Sequence, residues 1–541
     1  MIHLKALLGV LSLLLATIAA QNDGPVINLE KGKIRGLIRE SENGNKYYAF
    51  QEIPFAAPPV GPNRFQVPKE PPQWDGILNT TRNTKRCYQS QLLQGDVETI
   101  ESEDCLYLNV YSPDIHAKKL LPVLLWIHGG AFVTGSAVFG ETGPKYIMDQ
   151  DIVVVTTNYR LGAFGFVGTD DEVIPLNLGL KDQRLAMEWV NKNIHLFGGN
   201  PKHVVLAGES AGSISVGFHL ISQRPNEEQL FQAAIMQSGT PIASGLKQSD
   251  STQNAFDLGR RLDKNFSSKD SKELLNVLQK ADAKDIVSAF VIGGVSLEKE
   301  GLFSHLGYQA FIDQKYQRVP VLIGFNSEEW LFVGKNETQL KEIDKDPSLL
   351  IPARVNVAPG MRPTVGKLLK EIYTQNTSFE EDFGGFVRFT SDSMFINGVC
   401  KLVELSCENA PYYLYQFAYK GVLGESMNIP PYNDTGNVVH AEDLRYMWDD
   451  GKNSDLRKFP AEDVLMLHRF VKMWTNFVKY FNPTPQADPL LQNISWKPSE
   501  PNTIRYLNIN STLEMRNNPR QYAQVKEVLD KYLVAPFDSM T

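Results

Sequence analysis

The stretch His203-Val204-Val205-Leu206-Ala207-Gly208-Glu209-Ser210-Ala211-Gly212 constrains this chain more than any other. A short, β-branched apolar run ends in a glycine. A serine follows, and a second glycine stands two residues beyond it. Such a run reads as a buried strand that turns sharply into a helix. The glycines leave room for the tight turn and for the helix to approach the strand closely. The serine hydroxyl then stands above the end of a sheet. It is not reactive alone: it needs a base, a group that orients the base, and N–H donors for an oxyanion.

The rest of the chain repeats the strand-and-helix alternation. Short apolar runs occur at 122–127, 152–157, 204–207, 233–238, 319–324 and 412–417. Between them, 182–193 places Leu185, Ala186, Trp189 and Val190 on one helical face. Runs of this kind predict an α/β fold whose mostly parallel sheet is covered on both faces. Ligands bind beyond the carboxyl ends of such strands, which is where Ser210 would sit. A chain of 541 residues by itself suggests about three to four domains. Yet no long linker, charge block or internal repeat divides it, and the Pro-rich stretch 54–74 carries Phe55, Phe65 and Trp74 and reads as packed irregular backbone.

A formal net charge of −8 leaves no basic excess to neutralise phosphates, which argues against a nucleic-acid partner. Residues 1–20 read as a signal peptide, with Lys5 ahead of an apolar run too short to span a bilayer. Cleavage is expected after Ala20, with Ala19 the competing site, and the mature chain is expected to be secreted. Secretion permits disulfides. Cys87 and Cys105 enclose a loop of polar and flexible residues and are expected to pair. Cys400 and Cys407 fall in a helical stretch; seven helical residues rise about 10.5 Å, too far for a bridge unless the helix breaks, so their pairing stays open. Glycosylation sequons stand at Asn79, Asn265, Asn336, Asn376, Asn433, Asn493 and Asn510. No later run is long and apolar enough for a membrane span, and the sequence does not speak to oligomeric state.

Two histidines compete for the base. His468 lies in an apolar helical stretch, whereas His440 lies in a loop after Pro430-Pro431, where catalytic groups are commonly held. For the orienting acid, Glu328 and Glu329 both follow the strand at 319–324, and position alone does not separate them. Trp126-Ile127-His128-Gly129-Gly130-Ala131-Phe132 supplies a glycine-rich loop for an oxyanion, with Ala211 as the second donor. No H-E-x-x-H, paired C-x-x-C or phosphate-binding G-x-x-x-x-G-K-[ST] occurs, so neither a metal nor a cofactor is expected.

The chain resembles the type-B carboxylesterase/cholinesterase family, and within it the secreted insect carboxylesterases. The resemblance rests on 50–56 with Pro58-Pro59-Val60-Gly61, on Glu103-Asp104-Cys105-Leu106-Tyr107-Leu108-Asn109-Val110-Tyr111, and on Asn158-Tyr159-Arg160-Leu161-Gly162. Gly179-Leu180-Lys181-Asp182-Gln183 and Phe197-Gly198-Gly199-Asn200-Pro201 extend it. It implies an α/β-hydrolase fold, a large mixed and mostly parallel sheet flanked by helices, as one catalytic domain over residues 21–541. It implies a small-molecule ester substrate, hydrolysed to acid and alcohol through an acyl-serine. It assigns Ser210 as nucleophile, Glu329 as acid and His440 as base, with Gly129, Gly130, Ala131 and Ala211 forming the oxyanion loop. It also pairs Cys87 with Cys105 and Arg64 with Glu103.

Four positions depart from the family pattern. Trp330, Asn437 and Phe481 stand where glycine is usual, and Ala131 where a third glycine is frequent. None removes a reacting atom, but Trp330 and Asn437 raise the expectation of strain in the acid and histidine loops. The resemblance also ranks substrates. The segment 88–104 holds no tryptophan for a quaternary-ammonium cage, which argues against a cholinesterase. Juvenile hormone esterases typically carry glutamine where Glu209 stands, so a general carboxylesterase is favoured, with a juvenile hormone, pheromone or odorant ester as the alternative. An inactive adhesion or binding relative is the rival of another class; the retained Ser210, Glu329 and His440 speak against it.

Overall fold

The apolar runs pair into one eleven-stranded sheet in a computed structural model that describes residues 24–89, 99–222, 228–243, 250–289, 294–305, 307–451 and 454–540. In chain order its strands are β1 (Leu37–Glu40), β2 (Lys46–Pro54), β3 (Tyr107–Ser112), β4 (Leu121–Ile127), β5 (Val153–Thr157), β6 (Gly199–Glu209), β7 (Ala233–Gln237), β8 (Val321–Asn326), β9 (Tyr412–Phe417), β10 (Arg505–Ile509) and β11 (Leu513–Asn517). Across the sheet they run 1-2-3-5-4-6-7-8-9-10-11. From β5 to β10 every neighbouring pair is parallel, while the hairpin edges β1–β2–β3–β5 and β10–β11 are antiparallel. This is the α/β-hydrolase fold. All six apolar runs became parallel strands; β1, β2, β3, β10 and β11 are additions that the sequence pattern did not mark. The expected signal peptide, residues 1–20, lies outside the described residues.

Both faces of the sheet are buried. Along β4, Val123, Leu125 and Ile127 join one apolar cluster while Leu124 and Trp126 join another, the period-two alternation of a pleated strand. Helices α1 (Leu178–Asn193), α2 (Ala211–Ile221) and α4 (Asn397–Ser406) pack into the first cluster, and α5 (Ala461–Tyr480) packs into the second. Helix α3 (Phe383–Ser391) precedes α4, joined to it by one wide turn at Asp392–Ile396.

Cys87 and Cys105 form a disulfide. Cys400 lies inside α4 and Cys407 caps its end, and both thiols are free. Arg64 grips Glu103 with two parallel bonds, Nε to Oε2 at 2.6 Å and Nη2 to Oε1. Its remaining nitrogen reaches the carbonyls of Leu278 and Ala281, so this pair ties the first loops to a distant helix end. Of the sequons, Asn79, Asn265, Asn336, Asn376, Asn433 and Asn493 are exposed and Asn510 is half-buried. Among the described residues, no helix is long and apolar enough to cross a membrane.

Candidate active site

Strand register brings the candidate residues together. Gly208 of β6 lies opposite Ile127 of β4, Glu209 opposite Gln237 of β7, and Gln237 opposite Gly324 of β8. The residues just beyond these ends therefore share one rim: the loop from His128, Ser210, Ser238 and the segment after Asn326.

Ser210 adopts φ 53° and ψ −120°, a backbone conformation that costs an L-residue on the order of 1–3 kcal/mol. The turn is pinned on both sides: Ser210 N donates to Gln237 O at 2.8 Å, and Ser210 O accepts from Ile214 N at 2.9 Å. Two glycines make it possible. A Cβ on Gly208 would stand 2.5 Å from the Gly212 carbonyl carbon, and one on Gly212 would stand 2.1 Å from Ile127 O.

The glycine loop runs beside the serine. A Cβ on Gly129 would lie 3.1 Å from Ser210 Cβ and 2.4 Å from Glu209 Oε2. Gly130, Ala131 and Phe132 all take positive φ, at 102°, 54° and 62°. The Gly130 carbonyl accepts from both Val133 and Thr134 N at 3.0 Å. His128 supports the loop from behind: its ring stacks on Tyr159 at 4.4 Å, and Tyr159 OH donates to His128 O at 3.0 Å. Burial lowers the His128 pKa to about 4, so it stays neutral here. Ala211, first residue of α2, has no acceptor for its N–H within the helix.

The structure separates the two glutamates. Glu329 Oε2 lies 2.7 Å from His440 Nδ1, and His440 N donates to Glu329 O at 3.1 Å. The other oxygen, Oε1, accepts from Ser238 Oγ and Asn326 N, each at 2.7 Å. Glu328 faces away. It accepts from Arg520 Nη1 and Nη2 at 3.1 Å and from Gly436 N at 2.8 Å. His468 lies elsewhere, beside Glu42 at 3.1 Å.

The other imidazole nitrogen, Nε2, stands 3.2 Å from Glu209 Oε1. Burial raises the Glu209 pKa to about 8, with Asp443 and Glu329 adding to the rise and His440 opposing it. Burial alone would lower that of His440, but Glu209 and then Glu329 hold it up, to about 9. One imidazole thus sits among three buried carboxyls, and the titrations of Glu209 and His440 are coupled. A cavity of about 310 Å³ opens on the Glu209 side, lined by Gly129, Gly130, Glu209, Ala441, Arg445 and Trp448 among others.

Several residues of this constellation escaped the sequence reading. Ser238 and Gln237 close an apolar strand with polar side chains, a signal that could have marked them. Asp443, fully buried, accepts from Gln237 Nε2 and Tyr415 OH at 2.8 Å, while Trp474 Nε1 donates to Gln237 Oε1 at 3.0 Å. Arg520 and Asp392 come from far along the chain and left no local signal. The expected strain is also corrected. Trp330 and Asn437 keep negative φ, so glycine is not needed there; the positive φ falls at Ala131 and at Phe481, each 54°.

Comparison with known proteins agrees with this architecture. Residues 23–525 match the carboxylesterase family. The chain is 32% identical to the juvenile hormone esterase of Tribolium castaneum, covering 87% of this chain and 85% of that one. It is 31% identical to the cocaine esterase of Homo sapiens, over 89% and 88%. It is 29% identical to venom carboxylesterase-6 of Apis mellifera, over 91% and 92%. A strained serine at a strand end, a glycine loop beside it and a carboxylate-bound histidine, on this fold and with these likenesses, lead to one conclusion: the chain belongs to the carboxylesterase family and is a carboxylic ester hydrolase.

Proposed function

We propose that the chain hydrolyses small carboxylic esters through an acyl intermediate on Ser210. The observation that carries this reading is the 2.7 Å contact between Glu329 and His440 beside the strand end that bears Ser210. In the first step His440 Nε2 takes the Ser210 Oγ proton while Oγ bonds to the ester carbonyl carbon. The oxyanion is held by the N–H groups of Gly130, Ala131 and Ala211, with Gly129 shaping the loop. The C–O bond to the alcohol then breaks, and the alcohol leaves with the proton from His440. Water attacks the acyl carbon, giving its proton to His440; the acid departs and Ser210 regains a proton. Glu329 keeps Nδ1 protonated and supports the imidazolium throughout.

His440 Nε2 faces Glu209, and Glu209 lines the cavity, so the leaving alcohol is assigned to that side. In this reading residues 21–541 act as one catalytic domain, secreted after removal of residues 1–20. A juvenile hormone ester is the second reading of the substrate, favoured by the likeness to the Tribolium castaneum enzyme of that name.

The test is to express the secreted chain and its Ser210→Ala variant and to assay short-chain aryl esters with and without an organophosphate. The expected loss in the variant is at least ~10⁴-fold in kcat. Unchanged activity in the variant, or none in the wild type, overturns the reading.

A further inference from the structure

The base is held on a second side by an aromatic ring, and the backbone that delivers this ring is unusual. Helices α3 and α4 follow one another, but between them Asn397 N bonds to Asp392 O, closing one π-turn over Asp392–Ile396. Such a turn carries one extra residue, is rare, and is frequently found at functional sites. Each helical residue turns the chain by about 100°, so without the insertion the side chain at 395 would point elsewhere. With it, the Phe395 ring lies on His440, centroids 4.5 Å apart and planes tilted by 34°.

The turn is fastened to the acid loop. Ser391 Oγ accepts from Trp330 N at 3.0 Å, and Trp330 directly follows Glu329. Asp392 is fully buried; its carboxylate accepts from Tyr373 OH at 2.9 Å and lies 2.6 Å from Arg520 Nε. The same Arg520 holds Glu328, so one guanidinium joins the π-turn to the residue before Glu329. Behind Phe395 stands Trp330, at 6.0 Å between ring centroids. The acid and the aromatic ring thus belong to one clamped unit.

We propose that Phe395 is a positioning residue for His440. The bond from Nδ1 to Glu329 fixes one corner of the imidazole but lets the ring rock about that bond. A ring laid on its face removes this freedom and sets where Nε2 points. It also excludes water from that face and favours the imidazolium formed when His440 takes a proton, because an aromatic face attracts a cation. The groups that face His440 with charge are Glu209, Glu329 and Asp443, and the test leaves all three in place. The inference rests on the acyl-serine reading above.

The experiment compares the full secreted chain with Phe395→Leu, Phe395→Met and Phe395→Tyr. For Leu and Met, kcat on a short aryl ester should fall about 10- to 100-fold with KM changed less than about twofold. Phosphorylation of Ser210 by a small neutral organophosphate should slow by the same factor. The acid limb of kcat/KM should move to lower pH, because the imidazolium loses its aromatic support. Phe395→Tyr, which keeps the ring, should stay within about threefold of wild type. Wild-type kcat and pH profile in the folded Leu or Met variant overturn the proposal. So does an equal loss in Phe395→Tyr, which would mean that the site needs only volume. If Leu fails to fold, Met decides; if neither folds, the ring serves the fold and the proposal fails. Inactive wild type, or an active Ser210→Ala variant, would instead strike the acyl-serine reading itself.

Discussion

The two halves of the proposed site, named for the roles proposed for Ser210 and His440, are built by different means. The nucleophile half, 127–131 and 208–212, is made of backbone: a strained serine, positive-φ residues and glycines whose hydrogens fill the only space available. The base half is made of side chains from four distant segments: Glu329, His440, the π-turn with Asp392 and Phe395, and Arg520. The first is local in sequence and fails when a single carbon is added. The second is assembled across nearly two hundred residues and fails when a charge is removed. Buried charges survive only when paired, so the second half is held together by the same contacts that tune its acid–base chemistry.

Adjacent glutamates give the sharpest test of that contrast. Glu329→Gln should lower kcat by about 10³- to 10⁴-fold, because the imidazole loses its tautomer and its support. Its effect on stability should be small, since Gln can still accept from Ser238 and Asn326. Glu328→Gln should do the reverse. Arg520 then keeps only Asp392 as a charged partner, and the weakened bonds should cost about 1–3 kcal/mol, read by chemical denaturation, with kcat within about tenfold. Equal kinetic losses in the two variants would break the division of labour.

Glu209 joins the two halves, and its replacement should show as a pH effect. Glu209→Gln removes a negative charge from beside His440 Nε2, so the imidazolium is less favoured and the acid limb of kcat/KM should move down by about one pH unit. Stability carries the same sign. The His440 pKa rises on folding from 6.5 to about 9, so its contribution is full below 6.5 and is lost as pH rises through 9. That of Glu209 rises from 4.5 to about 8, so it too favours the fold at low pH and opposes it above 8. The thermal stability of the wild type should therefore fall steadily as pH rises across this range, and that of Glu209→Gln should fall less.

The smallest effect lies outside both halves. Phe481 ends α5 with φ 54° and stacks on His203 at 4.5 Å. Phe481→Gly relieves the backbone and loses the stack, for a net gain of about 0.5 kcal/mol in denaturant titration with kcat unchanged. A net loss would show that the ring contact outweighs the strain.

Legibility in the sequence follows the same division. Six of the seven parallel strands, the helix at 182–193 and the elbow could all be read because each is a local pattern of apolar period and glycine placement. The glycine loop was readable for the same reason. The edge strands were not: their runs are short, and their pairing partners lie far away. Loop context favoured His440 over His468, and it is His440 that the structure sets against Glu329; residue pattern alone left Glu328 and Glu329 equivalent. Asp443, Arg520 and Phe395 carried no local mark, because what selects each is a partner brought near only by folding: Gln237 for Asp443, Glu328 for Arg520 and His440 for Phe395.

By itself the sequence determined that Val204–Ala207 would run into a turn only glycine-flanked residues can make, and that the serine would stand at its crest. Sterics within ten residues account for Gly208, whose Cβ would meet Gly212, while Gly212 is required by Ile127 O on the neighbouring strand. Only the tertiary structure decided which glutamate meets the histidine, which arginine neutralises the other, and which ring covers the base. Those choices depend on strand register and on one inserted residue in a helix, and a change of one position in either turns a side chain to the opposite side.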